Sequence, residues 1–265
     1  MSLVQSETPR PATPSDTTDG TPAAAATGHD LIALMRARHS SRMAFDPDRS
    51  VPAAHLGLIL ESARWAPTAH NMQNYEIIVV DDRQRLAQIA AVRSEASLAF
   101  IRENFELLSF SEDELRRRKT GILARAFPPS WLTPDPNPFE TADAEHSLLG
   151  NAIQSAPVLL IVAYDATRRA PASEHDSLGM MSLGCVMQNM WLMAQALGIA
   201  MQILSVMSGE DVEQELRAVL GLPSALKVAF GARLGYPLGT ATPYPRVRRD
   251  VEDFTHHNTY LPART

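Results

Sequence analysis

Apolar and polar positions alternate along this chain in a way that predicts helices and strands in turn, between an irregular beginning and a proline-rich end. Over residues 30–38, Leu31, Leu34 and Met35 share one helical face, and Asp30 is placed to cap the first turn. Leu56, Ile59, Leu60 and Ala63 form the stripe of a second helix, started by Ser50 and Pro52 and ended by Pro67. Residues 66–80 (APTAHNMQNYEIIVV) then run from a small, polar turn straight into an apolar strand over 75–80. Helical patterns return over 83–92 and 95–108. Ser111 and Glu114 read as a capping box, with Ser111 capping the backbone and Glu114 reaching back. The helix they start carries Arg116, Arg117, Arg118 and Lys119, a basic run of the kind that is more often a solvated face than a ligand site.

Further along, a short helix is expected over 143–154. Residues 157–164 (PVLLIVAY) are continuously apolar, the pattern of a strand buried on both faces. Residues 178–197 are apolar almost all round, which places that helix in the middle of the fold or in a subunit interface. A strand over 199–206 leads to a second capping start at Ser208, a helix stopped by Gly221 and Pro223, and a last strand over 227–236. Residues 127–139 (FPPSWLTPDPNPF) are irregular, and Trp131 in their middle suits either a pocket cover or an anchor to the core. Residues 1–28 are rich in Thr, Pro, Ala and Ser without periodicity and read as a flexible segment, whereas 29–265 show no interior linker and read as one domain.

Composition narrows the partners. A net charge of −6 gives no support to nucleic-acid binding. No run is apolar and long enough to suggest a membrane span, and the N-terminal residues lack the pattern of a secretory signal. Cys185 is the single cysteine, so no intramolecular disulfide can form, and a reducing, cytoplasmic setting is expected.

The sequence contains no phosphate loop of the G-x-x-x-x-G-K-[ST] type, no G-x-G-x-x-G, no H-E-x-x-H and no G-x-S-x-G. The adjacent His256 and His257 have no matching carboxylate cluster and read as a surface segment, not a metal site. What remains is distributed. Arg38, Ser40 and Arg42 follow a helix, where two planar guanidinium forks and a hydroxyl can converge on one oxyanion. Arg246, Arg248 and Arg249 form a second basic group far along the chain. Either cluster alone suits solvated surface. Together with the polar turn at 68–74 they point to an anionic cofactor with a planar, hydrogen-bonding head group.

Four stretches resemble, in order, those of the FMN-dependent nitroreductase family. RHSSRMAF at 38–45 is similar to its R-R-S-x-R-x-F opening, and residues 66–80 to its A-P-S-x-x-N-x-Q-P-W-x-F-x-V-V stretch. NMWLMAQALGIAMQIL resembles its N-x-x-L-A-A-x-x-L-G-L-G segment, and VLGLPSALKVAFGARLGYP its strand ending in G-Y-P. The resemblance implies an α+β, three-layer fold with a mainly antiparallel sheet flanked by helices. It also implies an intertwined homodimer with FMN at the subunit interface, and NADH or NADPH as electron donor in a ping-pong reduction of a nitroaromatic, quinone or similar electrophile. Reductive dehalogenation, flavin breakdown and flavin binding without turnover are the alternatives.

In that picture Arg38, His39, Ser40 and Arg42 hold the phosphate and ribityl end, and Thr68, Ala69 and Asn71 lie by the ring. The strand end near Leu204 and Ser205 offers a backbone amide near flavin N5, and Arg246 or Arg248 reaches the phosphate. Asn74 and Tyr75 stand where the family usually has proline and tryptophan, and Leu204-Ser205 where it often has Gly-Gly. Residues 93–139 have no place on the family pattern and are expected to shape substrate access.

Overall fold

The computed structural model describes residues 22–93, 110–121, 148–173, 176–239 and 246–260, and divides into two units, Met1–Ala37 and Arg38–Thr265. In the first unit, helix α1 spans Pro22–Ala37 and leaves Leu31, Ile32 and Met35 exposed. Asp30 therefore lies inside this helix and is not its cap. The four alanines at 23–26 are the best helix formers and carry it back to Pro22, a residue suited to the first turn. Of the segment expected to be flexible, residues 22–28 are helical, and 1–21 lie outside the described residues.

The second unit contains helices α2 (Ala53–Arg64), α3 (Arg83–Ala90), α4 (Glu112–Arg118), α5 (Leu148–Gln154), α6 (Ser177–Ala196) and α7 (Glu210–Leu220). Its strands are β1 (Tyr75–Val80), β2 (Val158–Asp165), β3 (Ala200–Leu204) and β4 (Leu226–Gly235), paired in the order β1-β2-β4-β3. Every pairing is antiparallel, with one irregularity in the β2–β4 register between Val162 and Ala163.

Side chains of β2 alternate between two cores, as the period of a strand dictates. Val158, Leu160 and Val162 pack with Ile59 and Ala63 of α2 and with Val186, Met190 and Ala194 of α6. Leu159 and Ile161 pack on the other face with Leu86 and Ile89 of α3, Ile153 of α5, and Val212 and Leu216 of α7. Helices thus cover both faces of the sheet, giving three layers. The unbroken run PVLLIVAY follows from this placement, because a strand buried on both sides has no polar face to show.

Several expected details change. Helix α2 stops at Arg64, short of Pro67, because the proline ring disfavours the α region for the preceding Ala66. Ser111 does cap α4, accepting from the Glu114 amide at 3.1 Å. Glu114 does not reach back: Arg117 and Arg118 take its carboxylate, each at 2.5 Å, and Arg117 above all holds that carboxyl below its ordinary range. The Ser208 hydroxyl donates to the Ser205 carbonyl within a 3-10 turn, Ser205–Ser208, so α7 starts at Glu210, preceded by Gly209, without a side-chain cap. Gly221 ends α7 at φ 67°, a left-handed position that favours glycine. Helix α6 is not covered on every side within one chain, since Met181 is 67% exposed. The expected helix at 95–108 and Trp131 lie outside the described residues, as does the start expected for α5 at Asp143.

Candidate functional site

Residues 38–45 run as an extended segment tied down by groups from distant parts of the chain. The Ser41 amide donates to the Met201 carbonyl of β3 at 3.1 Å. The Phe45 amide donates to Ser155 Oγ at 3.1 Å. Beyond that, the Asp46 amide meets the Tyr236 carbonyl at 2.8 Å and the Leu238 amide meets the Ala44 carbonyl at 2.9 Å, so the segment lies against the end of β4. Phe45 is fully buried there, and a Cβ at Gly235 would stand 2.8 Å from its ring and 2.7 Å from Pro157. That close approach is the physical reason for glycine in the G-Y-P sequence.

Arg233, at the inward face of β4, is 2% exposed. Its five N–H donors reach Gln202 Oε1 at 2.7 Å, the Ala152 carbonyl at 2.8 Å, Ser155 Oγ at 3.4 Å, and the carbonyls of Ser41 and Met43 at 3.2 and 2.7 Å. Its guanidinium also lies 4.3 Å from the centroid of the Phe45 ring. Burial lowers its pKa to about 10, so it remains a cation at neutral pH.

Trp191 of α6 grips the start of the same segment. Its Nε1 donates to the His39 carbonyl at 3.2 Å, and its ring lies 4.4 Å under the Arg38 guanidinium. Arg38, His39, Ser40 and Arg42 remain half-buried, whereas Ser41 between them is buried. From the C-terminal region Arg246 donates to the Arg38 carbonyl, bringing the two basic groups of the sequence together at one point. Arg248 does not join them: it is exposed and donates to its neighbour, the Val247 carbonyl, at 2.7 Å. The segment after it is anchored by Lys119, whose ammonium meets Asp253 at 2.5 Å and Asp250 at 3.1 Å.

The polar turn is built differently. His70, Asn71 and Gln73 have φ of 50°, 51° and 44°, three non-glycine residues in the left-handed region within four positions. Such conformations cost of order 1 kcal/mol each and persist where surrounding bonds impose them. Most of those bonds are local. The Asn71 amide donates to the Thr68 carbonyl at 2.9 Å, the Gln73 amide to Thr68 Oγ1 at 3.3 Å, and Gln73 Nε2 to Asn71 Oδ1 at 3.0 Å. One long tie is added: the Ala69 amide donates to Ser182 Oγ at 3.0 Å, and that buried hydroxyl donates onward to the Leu178 carbonyl at 2.7 Å within α6.

Asn74 and Tyr75 fasten the turn to its strand. Asn74 Nδ2 donates to the Arg168 carbonyl at 2.8 Å, a bond proline could not make. The Tyr75 hydroxyl donates to the Ala63 carbonyl at 3.0 Å, and burial raises its pKa. At the end of β3 the Leu204 side chain enters the core, and Ser205 stands exposed at the start of the 3-10 turn.

A model of the nitroreductase family matches residues 35–236. The chain belongs to this family. The family's α+β fold also recurs in solved structures. An FMN-dependent nitroreductase from Clostridium difficile R20291 matches with a TM-score of 0.57 at 17% identity, over 86% of this chain and 99% of that one. A nitroreductase with bound FMN from Bacteroides fragilis NCTC 9343 matches with a TM-score of 0.55 at 21% identity, over 86% and 99%. NfrA1 of B. megaterium matches with a TM-score of 0.55 at 17% identity, over 88% and 76%. The antiparallel sheet between helix layers is the nitroreductase architecture.

Among the nitroreductase-like positions, the structure gathers Arg38, His39, Ser40, Arg42 and Arg246 in one place and Thr68, Ala69 and Asn71 in another. Arg233 and Trp191, which lie at unspecified positions of the matched stretches, and Ser182, outside them, organise both places. The signal that marks Arg233 is a cation well inside the mostly apolar strand KVAFGARLGY, whose other cation, Lys227, stands at its start. Ser182 is likewise a buried hydroxyl in an apolar helix. Among the described residues no group of His, Cys, Asp and Glu could hold a metal ion, and no helix is long and apolar enough to cross a membrane.

Proposed function

We propose that this nitroreductase-family protein is an FMN-dependent oxidoreductase. It takes electrons from NADH or NADPH and then, in ping-pong order, reduces a nitroaromatic, quinone or similar small electrophile. The observation that carries this reading is the convergence at residues 38–42, within the family match, of basic and hydroxyl groups from both ends of the chain. The donor set fits a phosphate monoester. Ser40 and Arg42 stand half-buried on either side of buried Ser41, Arg38 is steadied on Trp191, and Arg246 arrives at the same backbone.

In this reading Arg38, Ser40 and Arg42 bind the phosphate and ribityl end, and the grip of Trp191 on the His39 carbonyl holds them in place. Thr68, Ala69 and Asn71 wall the ring, the backbone at Leu204 and Ser205 turns an amide toward it, and Arg246 completes the phosphate contacts. Bound FMN supplies the redox centre, so no side-chain acid or base is required of the protein. What the chain contributes is anchoring, orientation and an open ring face that the donor and the electrophile occupy in turn.

The two halves of this site meet α6 at Ser182 and at Trp191, roughly 13 Å apart along the helix axis. That separation and the exposed Met180 and Met181 support a homodimer in which two copies complete each site. The lone cysteine supports a cytoplasmic setting.

The test is anaerobic addition of NADPH and then NADH to the purified yellow protein. Bleaching of the flavin absorbance on a catalytic timescale is expected, followed by recovery when a quinone is added. A yellow protein that neither nucleotide bleaches is a flavin carrier, not this enzyme. A colourless protein that stays free of added FMN contradicts the flavin reading.

A further inference from the structure

Arg233 stands at a position that the family pattern leaves unspecified, yet it is the organising group beneath residues 38–45. Among the described residues it is the least exposed charged side chain, and all five of its donors end on neutral oxygens. Burying a cation without a carboxylate is costly, and full hydrogen bonding is what offsets the loss of water. The partners come from four stretches of chain: Gln202 on β3, Ala152 on α5, Ser155 just after it, and the carbonyls of Ser41 and Met43. Gln202 is also its register partner across the β3–β4 pair, so the guanidinium is held at a defined depth in the sheet. The Ser41 and Met43 carbonyls are thus drawn to the guanidinium, and Ser40 and Arg42, on either side of buried Ser41, stand half-buried.

We propose that Arg233 is the positioning residue of the phosphate segment. By holding the Ser41 and Met43 carbonyls inward it presents Ser40 and Arg42 to a phosphate monoester without touching that ligand itself. This rests on the FMN reading given above. A lysine keeps the charge but has three donors on a flexible stem, and cannot span five acceptors that a planar fork meets at once. Loss of the fork therefore acts on the phosphate end of the cofactor and leaves the ring end alone. A residue that only supported the core would weaken both ends alike.

The experiment titrates the full-length Arg233→Lys chain and the unaltered chain with FMN and with riboflavin, which has the same ring and no phosphate. Flavin fluorescence gives the affinities, and hydrogen exchange reports the Ser41 and Phe45 amides. In Arg233→Lys the FMN affinity is expected to fall about tenfold with riboflavin affinity unchanged. An unaltered FMN-to-riboflavin ratio, or an equal loss of both, overturns the proposal. Should Arg233→Lys fail to fold, Gln202→Met, which removes one of the five acceptors, is expected to lower the same ratio about threefold. An unchanged ratio in that variant overturns the proposal equally. An unaltered chain that binds neither flavin defeats the FMN reading separately. Exchange then decides the positioning by itself: faster Ser41 exchange in Arg233→Lys upholds it, and equal exchange overturns it.

Discussion

Two segments of this protein carry the candidate site, and they are held by opposite means. Residues 68–74 are shaped from within: Thr68, Asn71 and Gln73 bond to one another, and three left-handed backbones follow from that local network. Residues 38–45 are held from outside. Their carbonyls and amides are tied to Met201, Ser155, Arg233, Trp191 and Arg246, up to 208 positions away in the chain. The first segment folds as a turn whose form is a property of its own residues. The second has a form only when the sheet is complete.

This contrast is open to direct attack. The largest effect is expected for Arg233→Met, which removes the buried fork from all five of its acceptors, of which Ser155 Oγ keeps the Phe45 amide as a donor. A loss of about 3 kcal/mol or more in urea unfolding follows from the general cost of stranding buried polar groups. A loss below about 1 kcal/mol would mean that residues 38–45 do not depend on distant ties. Next comes Ser182→Ala, which strands the Ala69 amide but leaves the local bonds of the turn intact. Its expected cost is about 1 kcal/mol by the same measurement, because only one tie of the turn is long-range. A cost near that of Arg233→Met would erase the distinction between the segments.

Smaller still is His70→Gly. Glycine reaches φ near 50° without strain but loses more freedom on folding, so a net gain of about 0.5 kcal/mol is expected. A destabilised His70→Gly would show that the turn gains from the His70 side chain something more than its backbone strain costs. The smallest effect is one of pH, at the surface. Lys119, whose pKa Asp253 above all raises, tethers the C-terminal region that carries Arg246. The same contact lowers the pKa of Asp253, with Lys119 the leading cause. The aspartate's contribution is present above its unfolded pKa and is lost as pH falls through its lowered folded value. The lysine's contribution is present below its unfolded pKa and is lost as pH rises through its raised folded value. Proteolysis near residue 250 is therefore expected to be slowest between the two ranges and to quicken on either side.

The same contrast explains what the sequence makes readable. Strand β1 matches its predicted bounds, and β2 needed only a one-residue shift, because their patterns are local and their ends are marked by turns and proline. The polar turn was readable as a turn for the same reason: its residues supply their own bonds. The cap at Ser111 was half readable. The hydroxyl caps as expected, but Glu114 had two arginines within reach and chose them. Arg38, Ser40 and Arg42 stand out in the sequence by residue type and spacing, whereas what holds them in place does not. The pairing of Arg233 with Ser41 and Met43 exists only through the β2–β4–β3 register, which no window of sequence contains. Likewise the start of α1 at Pro22 followed from the helix propensity of four alanines, in a stretch whose lack of amphipathic period concealed it.

The central claim is that residues 38–42 hold the phosphate of an FMN molecule. Its most direct test is to denature the purified protein and identify the released flavin by chromatography, for the unaltered chain and for Arg42→Ala. The account predicts FMN at about one per chain from the unaltered protein and a marked depletion from the variant, which retains its fold. Release of riboflavin or FAD, no flavin at all, or equal FMN from both proteins would contradict it.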